Sequence, residues 1–305
     1  MFSRKQKYFF FKLFSLFSIV RGYNILIIII AQYLTSIYIL APQLSIKEIL
    51  FDFNLFMIVL ASATAIASGY IINNFYDYEK DLINKPVKSK IDKVVRKRTK
   101  LSLYIILNFL CIYTSSLVSW KSVLFFSIYI FMIWFYSHKL KRILFVGNIV
   151  SSILSVIPFL IILIYYKNFE LIIFMYAIFL FLVVYMREII KDLEDTEGDK
   201  LMNSKNIAVT VSLSKIKWVV SVLLIIVLIP LLCILVSLVN KLIYFYSAKL
   251  LLLYIYCSYI CFLIIYTIYK IKLSDKKPNF TRVSQLLKFI MILGIFSVPL
   301  FFYFF

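Results

Sequence analysis

Two short acidic segments of the chain place oxygen-bearing side chains at helical spacing. The first, NNFYDYEKDLINKP, runs from 73 to 86, and the second, REIIKDLEDTEGDK, runs from 187 to 200. Residues three and four apart lie on one face of an α-helix, so each segment predicts a polar ridge along one helix face. The ridges are Asn73, Asp77 and Asp81 in the first segment and Asp192, Asp195 and Asp199 in the second.

Facing carboxylate ridges repel each other and raise their own pKa values unless a cation lies between them. Mg²⁺ takes oxygen ligands and commonly joins a few protein carboxylates to the phosphates of a substrate. The chemistry predicted here is therefore Mg²⁺-assisted handling of a diphosphate. Basic residues of the same loops would neutralise the remaining phosphate charge. These residues are Lys85, Lys88, Lys141, Arg187 and Lys191.

The alternative interpretation of these acids is that they are solvated charges at helix ends. It remains the better one for Glu79, Glu194 and Glu197, which point away from the ridges. Two clusters with helical spacing favour a common site for the ridge residues themselves.

The composition decides what kind of protein must position these ridges. Of the 305 residues, 63% are hydrophobic and only 16% are charged, with a mean hydropathy of +0.97. A soluble domain is about 45–50% apolar and about 25% charged, so the chain is predicted to be a polytopic membrane protein. Disorder and a disulfide-stapled secreted domain are excluded. A net charge of +20 would suggest a nucleic-acid partner in a soluble protein, but here the basic residues separate apolar segments, and no nucleic acid is expected.

The apolar segments predict an all-α fold of about nine transmembrane helices in one bundle with an Asp-rich cytoplasmic cap. A span needs about 20 mostly apolar residues, and the boundary between the third and fourth spans depends on Lys121. Residues 1–305 are predicted to form a single domain, in which 1–23 is an interfacial amphipathic segment. The predicted spans are 24–41, 53–73, 101–119, 122–137, 144–166, 170–187, 218–239, 249–269 and 286–305.

The distribution of basic residues predicts the orientation in the membrane. With nine spans and a cytoplasmic N-terminus, all but five of the 34 Lys and Arg residues lie on the cytoplasmic side. Both acidic ridges then lie on that side, at the ends of the second and sixth spans. The five exceptions are Lys47, Lys121, Lys167, Lys241 and Lys249.

On these motifs the chain resembles the UbiA superfamily of intramembrane prenyltransferases. N-x-x-x-D-x-x-x-D leading into I-N-K-P, followed later by D-L-E-D-x-E-G-D, is similar to the two Asp motifs of that family. RGYN from Arg21, YSHKLKR from Tyr136 with Gly147 and Asn148 behind it, and SQLLK from Ser284 resemble other family segments. The chain departs from the family pattern at Asn74, at 87–89 and at 206–209.

The resemblance implies a helical bundle around a chamber that opens sideways to lipid and carries an Asp-rich cap. Carried over by position, Asn73, Asp77 and Asp81 would hold one Mg²⁺. Asp192, Asp195 and Asp199 would hold a second. The implied diphosphate ligands are Arg21, Lys85, Lys88 and Lys141.

The activity implied by the resemblance is Mg²⁺-dependent transfer of a prenyl group from an isoprenyl diphosphate, geranylgeranyl diphosphate, to a lipophilic acceptor in the lipid bilayer. The style of both motifs favours geranylgeranylglyceryl phosphate as the acceptor. An aromatic acceptor such as 4-hydroxybenzoate, a naphthoate or a tetrapyrrole is the alternative. A secondary transporter and a non-catalytic lipid-binding relative are the rivals outside this activity. The expected location is a bacterial or archaeal cell membrane, with the N-terminus and active site cytoplasmic.

Overall fold

The computed structural model describes residues 4–201, 206–244 and 247–304, and within these ranges the chain is helical without strands. A five-residue π-helical turn, Ser36–Leu40, extends the second helix, and a short 3₁₀ turn covers Leu140–Arg142. The α-helices are α1 (Arg4–Ile19), α2 (Gly22–Thr35), α3 (Ile46–Leu50), α4 (Phe53–Tyr76), α5 (Tyr78–Asn84), α6 (Pro86–Asp92), α7 (Lys97–Ser116), α8 (Trp120–His138), α9 (Val146–Tyr166), α10 (Leu171–Glu194), α11 (Thr196–Leu201), α12 (Ile207–Thr210), α13 (Leu213–Tyr244), α14 (Ala248–Lys272) and α15 (Lys277–Phe304).

The predicted all-α polytopic class is confirmed. Eight helices of the described part are long and apolar enough to cross a membrane: α2 with its π-helical turn, α4, α8, α9, α10, α13, α14 and α15. The remaining predicted span, the third at 101–119, corresponds to α7, which packs in the bundle but begins with Lys97, Arg98 and Lys100. The estimate of about nine therefore agrees with the structure to within one helix.

Six of the spanning helices form a closed ring. Going round it, α2 contacts α4, α4 contacts α8, α8 contacts α9, α9 contacts α10, and α10 contacts α15, which returns to α2. Helix α7 packs outside α4 and α8, while α13 and α14 pack outside α10 and α15. Helix α1 lies against α6, to which the Ser15 hydroxyl donates a hydrogen bond of 2.8 Å at the Ile91 carbonyl. The ring encloses the space in which a site can form.

Small side chains allow α4 to sit between several neighbours. Ala61, Ala65 and Ser68 are almost fully buried on this helix. Small residues let helix backbones approach closely inside a membrane, where dispersion contacts drive association. Helix α4 therefore contacts α2, α7, α8 and α9 at once, and it holds the first acidic ridge firmly at its end.

A proline shapes the deep end of the ring interior. Pro158 lies inside α9, and since it lacks an N–H it leaves the Leu154 carbonyl without its helical donor. The Tyr129 hydroxyl of α8 donates to that carbonyl over 3.0 Å. The Pro158 carbonyl accepts from Gln32 Nε2 of α2 over 2.8 Å. Polar side chains of two neighbouring helices thus satisfy the backbone where the proline interrupts α9.

Candidate active site

A cavity of about 250 Å³ lies inside the six-helix ring. One end of it is charged and is walled by both acidic segments. The other end is apolar and is walled by side chains such as Ile28, Ala31, Leu154, Phe159 and Ile295. A space that is polar at one end and apolar along its length matches an amphiphile with a charged head and a hydrocarbon chain.

The first acidic segment reaches the cavity because α4 ends as it enters the charged region. Asp77 is the residue between α4 and α5, and Asp81 follows one turn into α5. The second span was predicted to continue as a helix. The structure interrupts it only at Asp77, and the helical hydrogen-bond pattern resumes there, since the Asp81 N–H donates to the Asp77 carbonyl over 2.8 Å. Asn73, Asp77 and Asp81 all line the cavity, as the spacing predicted.

Lys141 is the cation of this first segment. Its ammonium group donates to Asn73 Oδ1 over 3.0 Å and forms an ion pair with Asp77. Burial by itself raises the pKa of Asp77, but the adjacent Lys141 charge and hydrogen bond outweigh it and hold that pKa below its usual value. The loop carrying Lys141 packs tightly on α9, because a Cβ at Gly147 would come within 2.8 Å of the Lys141 carbonyl oxygen.

The second acidic segment begins inside α10 and ends beyond it. Asp192 lies in the last turns of α10 and accepts a hydrogen bond from Asn148 Nδ2 at 2.8 Å. Asp195 links α10 to α11, and its Oδ2 accepts from Lys85 Nζ at 2.8 Å. The other carboxylate oxygen of Asp195 is buried and has no hydrogen-bond partner. Both acids line the cavity.

Asp199 has a different position. It lies on α11, is almost fully buried, and forms an ion pair of 2.5 Å with Lys80. Its Oδ2 also accepts a hydrogen bond of 2.6 Å from Asn206 Nδ2. Asp199 lines a neighbouring cavity of about 390 Å³, which shares Asp77, Lys80 and Asp192 with the first. The second ridge is thus divided between two adjoining spaces.

The predicted phosphate ligands also differ in whether they line the cavity. Arg21, Lys85 and Lys141 line the cavity, whereas Lys88 on α6 does not. Burial lowers the pKa of Lys88, and the nearby Arg21 charge adds to this. Burial also disfavours the charged form of Lys85, but the carboxylates of Asp195 and Asp81 overcome this and raise its pKa. The structure therefore brings together eight of the ten predicted site residues and leaves Lys88 and Asp199 outside this cavity.

Arg21 is held in an unusual backbone conformation. It caps α2 with φ 51° and ψ 51°, the left-handed region that non-glycine residues seldom occupy. This turn between α1 and α2 directs its guanidinium over the Tyr70 ring, 5.0 Å from the ring centroid. A cation over an aromatic face keeps its charge at the cavity wall without a carboxylate partner.

Asn84 joins the two acidic segments and was not identified as a site residue from the sequence. Its Nδ2 donates to the Asp195 carbonyl over 2.9 Å, and its Oδ1 accepts from the Gly198 N–H over 3.0 Å. Its own carbonyl accepts from Lys277 Nζ over 2.8 Å. The I-N-K-P sequence contains this asparagine, but its partners are distant in the chain, so spacing alone could not assign its role.

Further charged residues of the cavity were not among the ten predicted site residues. Lys80 and Lys288 line it, and so do Arg187, Glu188 and Lys191. Arg187 and Lys191 were predicted to neutralise phosphate charge from a loop, and Glu188 was assigned no site role. Because α10 continues to Glu194, it carries all three along the cavity wall.

The donor atoms of the site fit a hard divalent cation. In the described residues no three Asp, Glu, His or Cys side chains converge tightly enough to enclose an ion as they stand. Lysines lie between the carboxylates instead, as at Asp77 and Asp195. Four ridge carboxylates nevertheless face one cavity, and the buried Asp195 Oδ1 lacks a partner that a cation would provide.

Residues 32–283 match the family model described as the UbiA prenyltransferase family. The chain belongs to the UbiA prenyltransferase family. The resemblance inferred from the motifs is thereby confirmed, and it extends over most of the chain.

Several curated relatives of this UbiA-family chain carry the same name. A digeranylgeranylglyceryl phosphate synthase of Methanosphaera stadtmanae is 26% identical over 233 residues, which cover 76% of this chain and 82% of the relative. The enzyme of that name from Methanobrevibacter smithii is 30% identical over 224 residues, covering 68% and 73%. For four further relatives with this name, the chain spans only 57 to 59% of their length.

A solved structure shows the same fold. The UbiA homolog from Archaeoglobus fulgidus bound to GPP and Mg²⁺ superposes with a TM-score of 0.61 at 15% identity. The superposition covers 93% of this chain and 99% of the other. At this identity the likeness supports the arrangement of the helices in this UbiA-family protein.

Proposed function

We propose that this UbiA-family protein transfers a geranylgeranyl group from geranylgeranyl diphosphate to geranylgeranylglyceryl phosphate. The observation that carries the proposal is the cavity itself, whose charged end joins both acidic segments and whose apolar end is enclosed by the helix ring. A prenyl diphosphate has the same division between head and chain. The curated relatives are named for the synthesis of digeranylgeranylglyceryl phosphate, which supports this choice of acceptor.

The donor diphosphate belongs at the charged end. Two Mg²⁺ ions are proposed, one held by Asn73, Asp77 and Asp81 and one by Asp192, Asp195 and Asp199. Bound there, Mg²⁺ supplies Lewis-acid neutralisation of the negative charge on the diphosphate. A homologous fold has been solved with both GPP and Mg²⁺, in keeping with this assignment.

Basic side chains complete the diphosphate site. Arg21, Lys85 and Lys141 lie on the cavity wall, and Lys88 is a further candidate behind it. Lys85 and Lys141 now pair with Asp195 and Asp77. With the donor bound, we expect these lysines to share their charge with phosphate oxygens. Preorganised cations of this kind stabilise charge that develops on a leaving group.

Ionisation breaks the allylic C–O bond, and the diphosphate leaves with the bonding electron pair. The positive charge left on the prenyl group would face Tyr70, Tyr129 and Tyr136, which line the cavity. Aromatic faces stabilise cations, and a closed apolar wall excludes the water that would capture them. The acceptor hydroxyl oxygen then forms the new C–O bond and gives up its proton, which the departing diphosphate can accept.

The charged end is proposed to face the cytoplasm of an archaeal or bacterial cell. The positive-inside distribution of Lys and Arg supports this orientation, since nearly all of them flank the charged ends of the spans. Both diphosphate donors and phosphorylated acceptors would reach the site from that side of the bilayer.

The test uses the purified protein in lipid vesicles with Mg²⁺ and labelled geranylgeranyl diphosphate. Geranylgeranylglyceryl phosphate, 4-hydroxybenzoate, a naphthoate and a tetrapyrrole are offered in parallel, with EDTA as the metal control. Mg²⁺-dependent transfer to the glyceryl phosphate is the expected result. Transfer to an aromatic compound alone would replace the proposed acceptor. Absence of transfer and of diphosphate release, from folded protein, would overturn the proposed activity.

A further inference from the structure

The cations of the cavity differ in whether they have a carboxylate partner. Lys141 pairs with Asp77, Lys85 with Asp195, and Lys191 with Glu188. Three others have no ion pair among the described residues. These are Arg21, Arg187 and Lys288, and all of them line the cavity.

The structure holds two of these cations against aromatic rings. Lys288 Nζ lies 3.6 Å from the centroid of the Tyr23 ring, and Arg21 lies over Tyr70. The Nε of Arg187 is buried and has no hydrogen-bond partner. A buried guanidinium N–H without a partner is costly unless a ligand supplies the acceptor.

Helix geometry separates this group from the Asp ridges. Arg187 and Lys191 are four residues apart and share one edge of the cavity-facing side of α10, whereas Asp192 lies toward the opposite edge. Asp192 is bonded to Asn148 of α9. Since α10 packs between α9 and α15, the Arg187 edge faces α15, which supplies Lys288.

Glu188 is the single carboxylate of this group, and several cations act on it. It forms an ion pair with Lys191 and interacts electrostatically with Arg187 and Arg21 as well. One carboxylate cannot neutralise these cations together with Lys288. The α2–α10–α15 side of the cavity therefore has an excess of positive charge, whereas the lysines near the Asp ridges are already balanced by carboxylates.

We propose that Arg187, Lys191 and Lys288 form a second anion site, which binds the phosphate of the acceptor lipid while the donor diphosphate lies at the Asp ridges. This inference rests on the proposed function and deepens it, because it makes a phosphomonoester headgroup the basis of acceptor selection. A phosphomonoester carries about −1.5 to −2 charge near pH 7, which suits a fork-shaped guanidinium beside two ammonium groups. Arg21, between the two anions, would contact either.

Separate sites for the two headgroups have a consequence for selectivity. Holding the acceptor by its phosphate fixes the position of its free hydroxyl relative to the allylic carbon. An acceptor without a phosphate would leave the buried Arg187 Nε unpaired and would be selected against.

The test compares wild type with Arg187→Gln, Lys191→Met and Lys288→Met in lipid vesicles. Two quantities are measured: binding of labelled geranylgeranylglyceryl phosphate without donor, and KM for acceptor and donor separately. We expect the variants to weaken acceptor binding and raise the acceptor KM roughly tenfold or more, with the donor KM unchanged. Geranylgeranylglycerol, which lacks the phosphate, should be a poor acceptor for wild type and nearly insensitive to the three substitutions.

Two further variants keep the interpretation clear. Arg282→Gln, an exposed position of α15 outside the cavity, serves as the control and should change neither KM. Glu188→Gln removes the competing carboxylate and should tighten binding of the phosphorylated acceptor. If the cluster only stabilised the fold, Glu188→Gln would lower the melting temperature without improving binding.

The outcomes separate the two proposals. If wild type transfers to the phosphorylated acceptor but the variants alter only the donor KM, the second site is wrong and the proposed function stands. If wild type binds the phosphorylated lipid through Arg187 and Lys288 but does not prenylate it, the second site stands and the proposed function fails. If the folded variants bind that lipid as wild type does, the second site is overturned.

Discussion

The side-chain oxygen of Asn84 accepts a hydrogen bond of 3.0 Å from the backbone N–H of Gly198, 114 residues further along the chain. The amide of the same side chain donates to the Asp195 carbonyl. Asn84 therefore fixes the distance between the segment carrying Asp81 and the segment carrying Asp195. The metal ligands that we propose on these two segments would require such a positioning contact, because ligand geometry must be held to a fraction of an ångström.

Removal of this contact should uncouple the two acidic segments. We expect Asn84→Ala to leave buried backbone groups of Asp195 and Gly198 unpaired, which costs about 1–3 kcal/mol, and to reduce transfer strongly. Gly198→Ala should act similarly, since its Cβ would approach Asn84 Nδ2 to 2.5 Å. Melting temperature in detergent and transfer rate are the measurements. Asn240→Ala, on an exposed face of α13, should match wild type. Full activity of Asn84→Ala would contradict the positioning role.

Neutral isosteres at the acidic ridges should abolish transfer without unfolding the protein. Asp77→Asn and Asp195→Asn each remove a carboxylate that lines the cavity, so we expect a loss of roughly 100-fold or more in kcat. Asp275→Asn is the matched control, because Asp275 is 72% exposed and its partner is Lys217. Activity is measured against Mg²⁺ concentration, and folding is checked by size-exclusion chromatography. A folded Asp77→Asn variant with wild-type turnover would show that the ridge does not serve the reaction.

The apolar end of the cavity should control donor length. Ala31, Phe159, Leu180 and Ile295 separate it from a smaller space of about 30 Å³ deeper in the bundle. Ala31→Phe should fill the end and favour shorter diphosphates, whereas Phe159→Ala should join the two spaces and admit longer ones. Each added or removed methylene is worth about 1–3 kcal/mol in an apolar pocket, so kcat/KM ratios should change by roughly tenfold.

Donors of 10, 15, 20 and 25 carbons are compared for each variant. Phe174→Ala is the control, because this phenylalanine lies on an exposed face of α10. An unchanged order of preference in both cavity variants would place the prenyl chain elsewhere.

A buried polar network beside the site predicts a pH-dependent stability effect. Asn74 faces away from the cavity, donates to Asp92 Oδ2 over 2.9 Å and accepts from Lys100 Nζ over 2.9 Å. Burial raises the pKa of Asp92, although Lys88 and Lys100 act against this and Asp81 adds to it. Its folded pKa lies above the unfolded value of about 3.9, so protonated Asp92 stabilises the fold at low pH, and this contribution is lost as pH rises through the folded pKa.

Asp92→Asn should therefore melt at a higher temperature than wild type at pH 8, with a gain of about 1 kcal/mol. The difference should shrink as the pH falls towards 4, where Asp92 is protonated in both states. Lys100→Met, which leaves Asn74 Oδ1 unpaired, should melt lower at either pH. A stability gain of Asp92→Asn that grows towards pH 4 would contradict the predicted direction of the pH dependence.

The local pattern of the sequence was sufficient to predict which residues form the ridges, but not which residues contact them. Asn73, Asp77 and Asp81 line one cavity because four-residue spacing persists across the short break at Asp77. Asp199 departs from its ridge because Lys80 and Asn206 hold it in the adjoining space, although its N–H still donates to the Asp195 carbonyl over 3.2 Å. Spacing predicts the shared helix face, whereas contacts with other segments determine which space each carboxylate enters.

Contacts between distant segments explain what the sequence left undetermined. Asn74 departs from the family pattern, and its role emerges only when α6 and α7 bring Asp92 and Lys100 to it. Lys288 ends the SQLLK segment, but that resemblance assigned it no role, because its place in the cavity depends on how α15 packs against α10. Positions of this kind are set by tertiary packing rather than by local spacing.

The ring that surrounds the cavity is closed by α15 returning to α2, two helices that are far apart in the chain. During translation α2 enters the membrane long before α15 is made, so a partly synthesised chain has an open trough in place of a closed chamber. Contacts between such distant segments also form late in folding, because a long loop must be ordered first. An immature chain therefore lacks the water-free enclosure that ionisation of an allylic diphosphate requires. We therefore expect a chain in which α15 has not docked against α2 to be unable to shield a reactive carbocation from water.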